Sequence, residues 1–542
     1  MSLTVTAADM QTVLDRVSEI NNVSGTVGKI LRKSENGVEW VADLSSTVSN
    51  HAENIASISG TVSNHTGDIA SISGTVSNYT GDIASISGTV SNNVNVLTKL
   101  NNISQVQLTQ LAGIVDQWPE DPTFEIGQIG SDFNGTNDND QLGKGSAINK
   151  DGNIIVIGTP GFDSNMGKVQ VYELNNGIWS TKGNPVEGEV VNTYFGSNVA
   201  INDNGTRIAV VSRPGNDSSA SVSIFEYNTS TNNWEKVGQD LDSDSIFGVF
   251  GNTMKFNAFG NIIVFDHTGY GGFSHNGKVY VYREHVFEGG FSGNNTTISW
   301  VKIFEKLGDA TNNELGWVSL NYSGNIVSMG SNNNDFGMVR VYKNPNHDDV
   351  DWVNIAAYNT SGALNWVQLG QDITGSMSGD RIAYGGTALN SSGDRLVVGA
   401  RFSDRNNKSN SGHILVYTLI GNTWTQLGQT IEGTNDNEYC GWCPSINNLG
   451  NRIAFHVNHA NQVNENARVY ELTSSGEWTQ ILSNEINKSG VGDSSTFLSR
   501  DGNRMIISNH ELGIGNKGRV SVFSLKKTFM NFLIDLYNIE TK

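Results

Sequence analysis

Apolar residues recur at intervals of seven near the start of the chain and at intervals of two from about residue 118 onward. The first interval predicts helices that pack against copies of themselves; the second predicts half-buried strands. Within the first region the unit Ile-Ala-Ser-Ile-Ser-Gly-Thr-Val-Ser-Asn starts at Ile55, Ile69 and Ile83, a period of 14 residues, or two heptads. With Val48, Ile55, Val62, Ile69, Val76, Ile83, Val90 and Leu97 as position a, position d is His51, Ile58, His65, Ile72, Tyr79, Ile86, Asn93 and Leu100. Position a is apolar throughout, whereas d alternates between apolar and polar.

A sustained heptad implies a left-handed coiled coil, and β-branched residues at both a and d favour three or four strands over two. The expectation is a parallel homotrimer whose core is Val48, Ile55, Ile58, Val62, Ile69, Ile72, Val76, Ile83, Ile86, Val90 and Leu97. As helix, residues 41 to 114 would reach roughly 110 Å at about 1.5 Å per residue. Five glycines oppose this reading: Gly60, Gly67, Gly74, Gly81 and Gly88. Each costs about 1 kcal/mol relative to Ala in a helix, so association must supply the difference. A fibrous β-structure such as a triple β-spiral is the rival, and either form is an elongated oligomeric shaft. A second heptad set, Met10, Val13, Val17, Ile20, Val27 and Leu31, does not continue into the first, and Gly37 marks the break. Residues 1–37 are therefore expected to be a helical attachment segment and residues 38–117 the shaft.

From Trp118 the turn motif Asn/Asp-x-x-Gly, followed by an apolar run, appears around Gly152, Gly205, Gly260, Gly324, Gly393, Gly450 and Gly502. The separations are 53, 55, 64, 69, 57 and 52 residues. A period of this size built only from strands predicts the blades of a propeller, seven in all. Each blade repeats an alternating strand such as Lys168–Tyr172 or His413–Tyr417. An outer strand follows, opening at Trp179, Trp234, Trp300, Trp366, Trp424 or Trp478, several times as Trp-x-x-x-Gly-Gln. Six outer strands follow their own blades. The missing seventh is expected at residues 124–133, ahead of the first blade, where it would complete the last one and remove its open edge. The fold expected is an all-β seven-bladed propeller over 118–525 with an N-terminal α-helical coiled-coil stalk. Residues 526–542, with Phe529, Phe532, Leu533, Leu536 and Ile539, read as an amphipathic tail.

Composition narrows the function classes. The chain of 542 residues has a net charge of -20, which argues against a phosphate-backbone partner. No stretch approaches 18 apolar residues, so no membrane insertion is expected. The first residues lack a basic segment followed by an apolar run, and the expectation is a chain without a secretory leader. The two cysteines, Cys440 and Cys443, form a C-x-x-C pair. A zinc site would need two further ligands such as His456 and His459; buried structural thiols are the expected reading. There is no Gly-x-Ser-x-Gly elbow, phosphate-binding loop or His-Glu-x-x-His. Arg207, Arg395, Arg452 and Arg504 recur just after the turn glycine, which reads as architecture. No catalytic residue, metal or cofactor is expected, and the chain reads as a binding or structural protein rather than an enzyme.

Val156-Ile-Gly-Thr-Pro-Gly-Phe-Asp-Ser-Asn-Met-Gly-Lys-Val-Gln-Val-Tyr172, together with Phe195-Gly196 and Ser212-Arg-Pro214, resembles the FG-GAP repeat of integrin-α-type propellers. The resemblance implies a propeller and, in some blades of that family, calcium bound through an Asp-x-Asp-x-Asp-Gly-type run. No such run occurs here; the nearest residues, Asp138, Asp140, Asp436 and Glu438, read as inter-blade turns. The shaft-plus-propeller layout resembles virion fibre proteins of tailed phages and large algal viruses. It implies a homotrimeric fibre or spike at the virion surface, anchored to a capsid or tail protein by its N-terminal end. The heads would bind a host-surface glycan or protein. The alternatives are a purely structural virion decoration, a non-viral adhesin, and a polysaccharide-degrading propeller enzyme.

Overall fold

The chain divides into two units, residues 1–118 and 119–542. A computed structural model describes residues 30–34, 37–41 and 124–527, apart from 215–219, 244–247, 270–274, 288–296, 311, 333–334, 346–365, 459–463, 482–485, 490–493 and 512–514.

In the first unit the described residues form an antiparallel hairpin. Strand β1 (Ile30–Ser34) pairs with β2 (Gly37–Val41), from Ile30↔Val41 to Ser34↔Gly37. This corrects the helical expectation for the end of the 1–37 segment. Leu31 closes a heptad pattern by spacing alone, but the backbone around it is extended and paired across the break at Gly37. The shaft core from Val48 to Leu97 lies outside the described residues.

The second unit is a seven-bladed propeller. Six blades follow one another, with innermost strands Ser146–Ile148, Val199–Ile201, Val249–Phe256, Gly316–Leu320, Gly386–Leu389 and Trp442–Ile446. The seventh consists of Ser494–Leu498, Arg504–Asn509 and Arg519–Lys527, and its outer strand is Phe124–Gln128. That strand pairs antiparallel with the last one from Phe124↔Lys527 to Gln128↔Phe523. The ring is thus closed by two segments almost four hundred residues apart in sequence. The pairing extends the last strand through Lys526 and Lys527, which corrects the expected tail boundary: those two residues belong to the sheet because Glu125 and Phe124 stand opposite them.

Each turn glycine lies between the first and second strand of its blade with positive φ, from 67° at Gly152 to 86° at Gly324. The Asn of the motif explains the rest of the turn. Asn149, Asn202, Asn257, Asn321, Asn390 and Asn447 accept, on Oδ1, the backbone N–H five residues on at 2.9–3.0 Å; Ser499 does so through Oγ at 2.9 Å. These turns also link the blades. A ring of backbone bonds runs Lys150 to Asp203, Asp203 to Ala258, Ala258 to Tyr322, Tyr322 to Ser391, Ser391 to Asn448, Asn448 to Arg500, and Asp501 back to Lys150, at 2.6–3.3 Å. The hydrophobic cores lie between neighbouring sheets. One of them packs Val211 and Ile224 of the second blade against Phe250, Phe265 and Trp300 of the third.

The outer strands carry a second set of links. The indole N–H of Trp234, Trp300, Trp424 and Trp478 donates to a carbonyl of the preceding blade at 2.8–3.1 Å, and Trp179 donates to Ile129 at 3.0 Å. The Gln of Gly-Gln reads the same tryptophan's backbone. Gln429 donates to Trp478 O at 2.6 Å and accepts from Trp478 N at 2.8 Å. Gln371 does the same with Trp424, and Gln239 with Trp300. The recurrent arginines reach to the next turn: Arg207 to Gly260 O, Arg395 to Gly450 O, Arg452 to Gly502 O and Arg504 to Asp151 O. Six blades carry a short fifth strand on the third, which the sequence pattern did not suggest; the third blade has four strands.

Candidate ligand site in the central channel

The innermost strands enclose a channel along the propeller axis. Their side chains alternate between the inter-blade cores and the channel, and every blade contributes several residues to its wall. The channel widens into two chambers. The one beside the turn ring has a volume of about 110 Å³; the one at the opposite, loop end has about 390 Å³. Val199, Lys255, Pro444 and Phe497 line both and form the waist between them.

The chambers differ in charge. At the turn end, Arg500 Nε lies 3.3 Å from Asp203 Oδ1, so that cation is matched. Burial lowers the Arg500 pKa and raises that of Asp203, and each opposes the other's shift. At the waist stands Lys255, on the strand Val249–Phe256. Its side chain is open to water inside the channel yet surrounded by protein on all sides. That enclosure pulls its pKa down to about 8; Cys443 opposes the shift and Arg500 adds to it. Among the described residues no carboxylate pairs with Lys255; its ammonium sits 4.8 Å from the centre of the Phe497 ring.

The loop-end chamber is walled by Trp317, Trp442 and Phe497, with Ser197, Asn252 and His510 among its polar residues. Trp317 is held in a left-handed conformation, φ 49°, by the buried carboxylate of Asp266. Asp266 accepts from Trp317 N at 2.9 Å and from Thr253 N and Oγ1 at 2.8 and 2.7 Å. Burial raises the Asp266 pKa against these bonds and against Arg213. The Arg213 guanidinium donates to Phe250 O and Gly251 O, both at 2.8 Å, and burial lowers its pKa to about 10. Asp266 and Arg213 therefore position the wall. The two carboxylates that line the channel, Asp203 and Glu511, belong to different chambers. The set of groups suits holding a small molecule: the ammoniums of Lys255 and Lys144, the carboxylate of Glu511, hydroxyls and amides, and aromatic surface.

The residues singled out from sequence fall elsewhere. Cys440 and Cys443 are thiols rather than a disulfide; Cys440 is fully buried in the core between the fifth and sixth blades. His456 is buried opposite Trp442, and His459 lies outside the described residues. Asp140 and Glu438 use one carboxylate oxygen to cap their own loops, each accepting from two backbone N–H groups and a threonine hydroxyl; Glu438 also pairs with Arg468. Among the described residues no group of three or more His, Cys, Asp or Glu is placed to hold a metal ion. Lys255 and Trp317 were not legible as a site. The one signal was a lysine in an innermost strand, between Met254 and Phe256.

No protein-family model matches the chain, and no curated protein matches its sequence. Solved structures match by shape. A putative 6-phosphogluconolactonase from Bacteroides fragilis is 11% identical, covering 64% of this chain and 85% of that one at a TM-score of 0.41. The Cps50 (Swd1) β-propeller domain of Myceliophteria thermophila is 8% identical, over 74% and 100% of the two chains, at 0.42. The β-propeller domain of the Trilobed protease from Pyrococcus furiosus is 10% identical, over 67% and 90%, at 0.35.

Proposed function

We propose that the chain is a non-catalytic fibre or spike of a virus particle, a homotrimer in which residues 38–117 form the shaft and the propellers are binding heads for a host-surface glycan or protein. The observation that carries this reading is the unbroken series of apolar a positions from Val48 to Leu97, immediately ahead of a propeller. A sequence with that repeat and five interior glycines has no stable single-helix form, so self-association is the physical use for it. A trimeric shaft gives three heads a common origin, and avidity then converts weak single-site binding into attachment. A rigid propeller supports this role because its loops are held on a closed frame.

The test is the solution mass of the full-length chain by light scattering. About three times 58.6 kDa is expected. A monomer at working concentration refutes the shaft. Retention of the trimer on a host-glycan array supports attachment, whereas a trimer that binds neither glycans nor host cells would make the protein a structural decoration of the particle.

A further inference from the structure

We infer that the loop-end chamber of the channel binds a carboxylated sugar unit, with the carboxylate on Lys255 at the waist and the sugar ring against the Trp317–Trp442 wall. This deepens the proposed function, because it names the ligand class of the same heads. Four observations carry it. The chamber, at about 390 Å³, falls in the size range of small-molecule sites, roughly 300–1,000 Å³. Lys255 presents an ammonium with no carboxylate partner among the described residues, inside a chain of net charge -20. An enclosed, uncompensated ammonium is destabilised, and an anion entering the chamber relieves it. The half-buried rings of Trp442 and Phe497 supply aromatic surface for the C–H face of a sugar, with Trp317 buried in the wall beside them, and the polar groups around them suit hydroxyls.

The charge count argues for a carboxylate rather than a phosphate. Of the other cations on the chamber lining, Arg213 donates to two backbone carbonyls and Lys144 to Gln141 Oε1 at 3.0 Å, while Glu511 on the same lining adds a negative charge; Lys255 therefore suits a ligand with a single negative charge better than the about −1.5 to −2 of a phosphate monoester. A series of aromatic contacts leads away from Trp317: a tilted contact to Tyr384 at 4.7 Å, then edge-to-face contacts from Tyr384 to Phe402 at 5.3 Å and from Phe402 to Tyr439 at 5.7 Å. Arg401 lies 3.6 Å over the Trp442 ring. A polymer carrying the acidic sugar would have a path from the channel mouth toward the rim.

The experiment is titration calorimetry of the full-length chain with D-glucuronate, D-glucose, acetate and inorganic phosphate, repeated on Lys255→Met and Lys255→Arg. Glucuronate is expected to bind at least about tenfold tighter than each of the other three, and Lys255→Met to lose about 10- to 100-fold, the worth of a charged hydrogen bond. Lys255→Arg should keep the preference for glucuronate over glucose. Lys255→Met should fold at least as well as the parent, since it removes an enclosed charge, and glucuronate should raise the unfolding temperature of the parent but not of this variant. Equal binding of glucuronate and glucose, phosphate or acetate binding as tight as glucuronate, no glucuronate binding, or unchanged affinity in Lys255→Met each overturns the inference. These readouts do not depend on oligomer mass, so failure of the channel reading and failure of the trimeric fibre remain distinguishable.

Discussion

Removing one glutamine clasp should loosen the joint between two blades by a calculable amount. In Gln429→Ala two bonds disappear, the 2.6 Å donation to Trp478 O and the 2.8 Å acceptance from Trp478 N. The indole bond of Trp478 to Leu427 O, 2.9 Å, stays. The stem of Gln429 is exposed, so water reaches the vacated backbone groups in part. Each bond then counts for its net value, about 0.5–1.5 kcal/mol, and the loss should be about 1–3 kcal/mol. Gln426→Ala is the matched control. Gln426 is exposed on the same outer strand, but its amide contacts only Gly428 O and Thr430 Oγ1 of its own blade, so its loss should stay within about 0.5 kcal/mol.

Combining Gln239→Ala, Gln371→Ala and Gln429→Ala removes three clasps with no shared partner, and the losses should add to about 3–9 kcal/mol. Urea unfolding of the full-length chain followed by tryptophan fluorescence reads these differences as shifts of the midpoint at constant slope. Equal midpoints for Gln429→Ala and Gln426→Ala would refute the claim that the Gly-Gln motif exists to hold the next blade.

Three further outcomes follow from the same geometry. His413 is fully buried; burial, with Arg405 beside it and Asp380 opposing, lowers its pKa from 6.5 to about 3. The unfolded chain therefore takes up a proton that the folded chain refuses between these values. Stability should fall on acidification from about pH 6.5 toward 3 by up to about 1.4 kcal/mol per pH unit, and His413→Gln should show a shallower acid slope in the same urea experiment. A chain starting at Pro119 should give a soluble, cooperatively unfolding propeller. One starting at Asp132 lacks the strand Phe124–Gln128, bares the edge Arg519–Lys527 and should aggregate, as size-exclusion chromatography would reveal; equal behaviour refutes ring closure as a requirement. Glucuronate binding should weaken as pH rises through about 8, because Lys255 then loses its proton while Lys144, Arg213, His510, Glu511, Cys443 and Arg500 also face the channel. Lys255→Arg should keep binding at pH 9, and a parallel pH profile in that variant would assign the titration elsewhere.

The propeller was readable because its repeating elements are local. A left-handed turn residue wants glycine, an Asn three residues before it caps the turn, and alternation marks the strands that follow, so seven copies stand out without knowledge of what they touch. What those motifs do was not readable, since every partner is in the next blade: Gln371 meets Trp424, and Arg452 meets Gly502. The short fifth strands are two residues long in five blades, such as Val186–Glu187 and Leu241–Asp242, and four in Ile486–Ser489, too short to carry a period. The hairpin at 30–41 was masked by heptad spacing through Leu31, a pattern that apolar residues in a short alternating strand also produce. The channel was least legible of all. Its wall draws on the innermost strand of every blade, and Lys255 meets Phe497 only because the ring closes.

The distribution of fixed and free contacts explains why the channel is the part of the head best able to bind. Many of the bonds that hold the ring are backbone-to-backbone at the turns, or reach backbone from Asn, Arg, Gln and Trp, and side-chain pairs such as Arg207–Glu284 add to them. The turn-end chamber is small, and its Arg500 is matched by Asp203. In the loop-end chamber Lys255 pairs with no carboxylate among the described residues, Asp266 accepts from the backbone of Trp317, and Arg213 donates to backbone carbonyls. A purely structural plug would bury an apolar residue at position 255, because an enclosed ammonium opposes folding and adds nothing to the blade joints. The lysine therefore makes physical sense chiefly when the chamber is filled by an anion. That argument holds for a single propeller as well as for the proposed trimer, which separates the chemistry of the channel from the number of chains in the assembly.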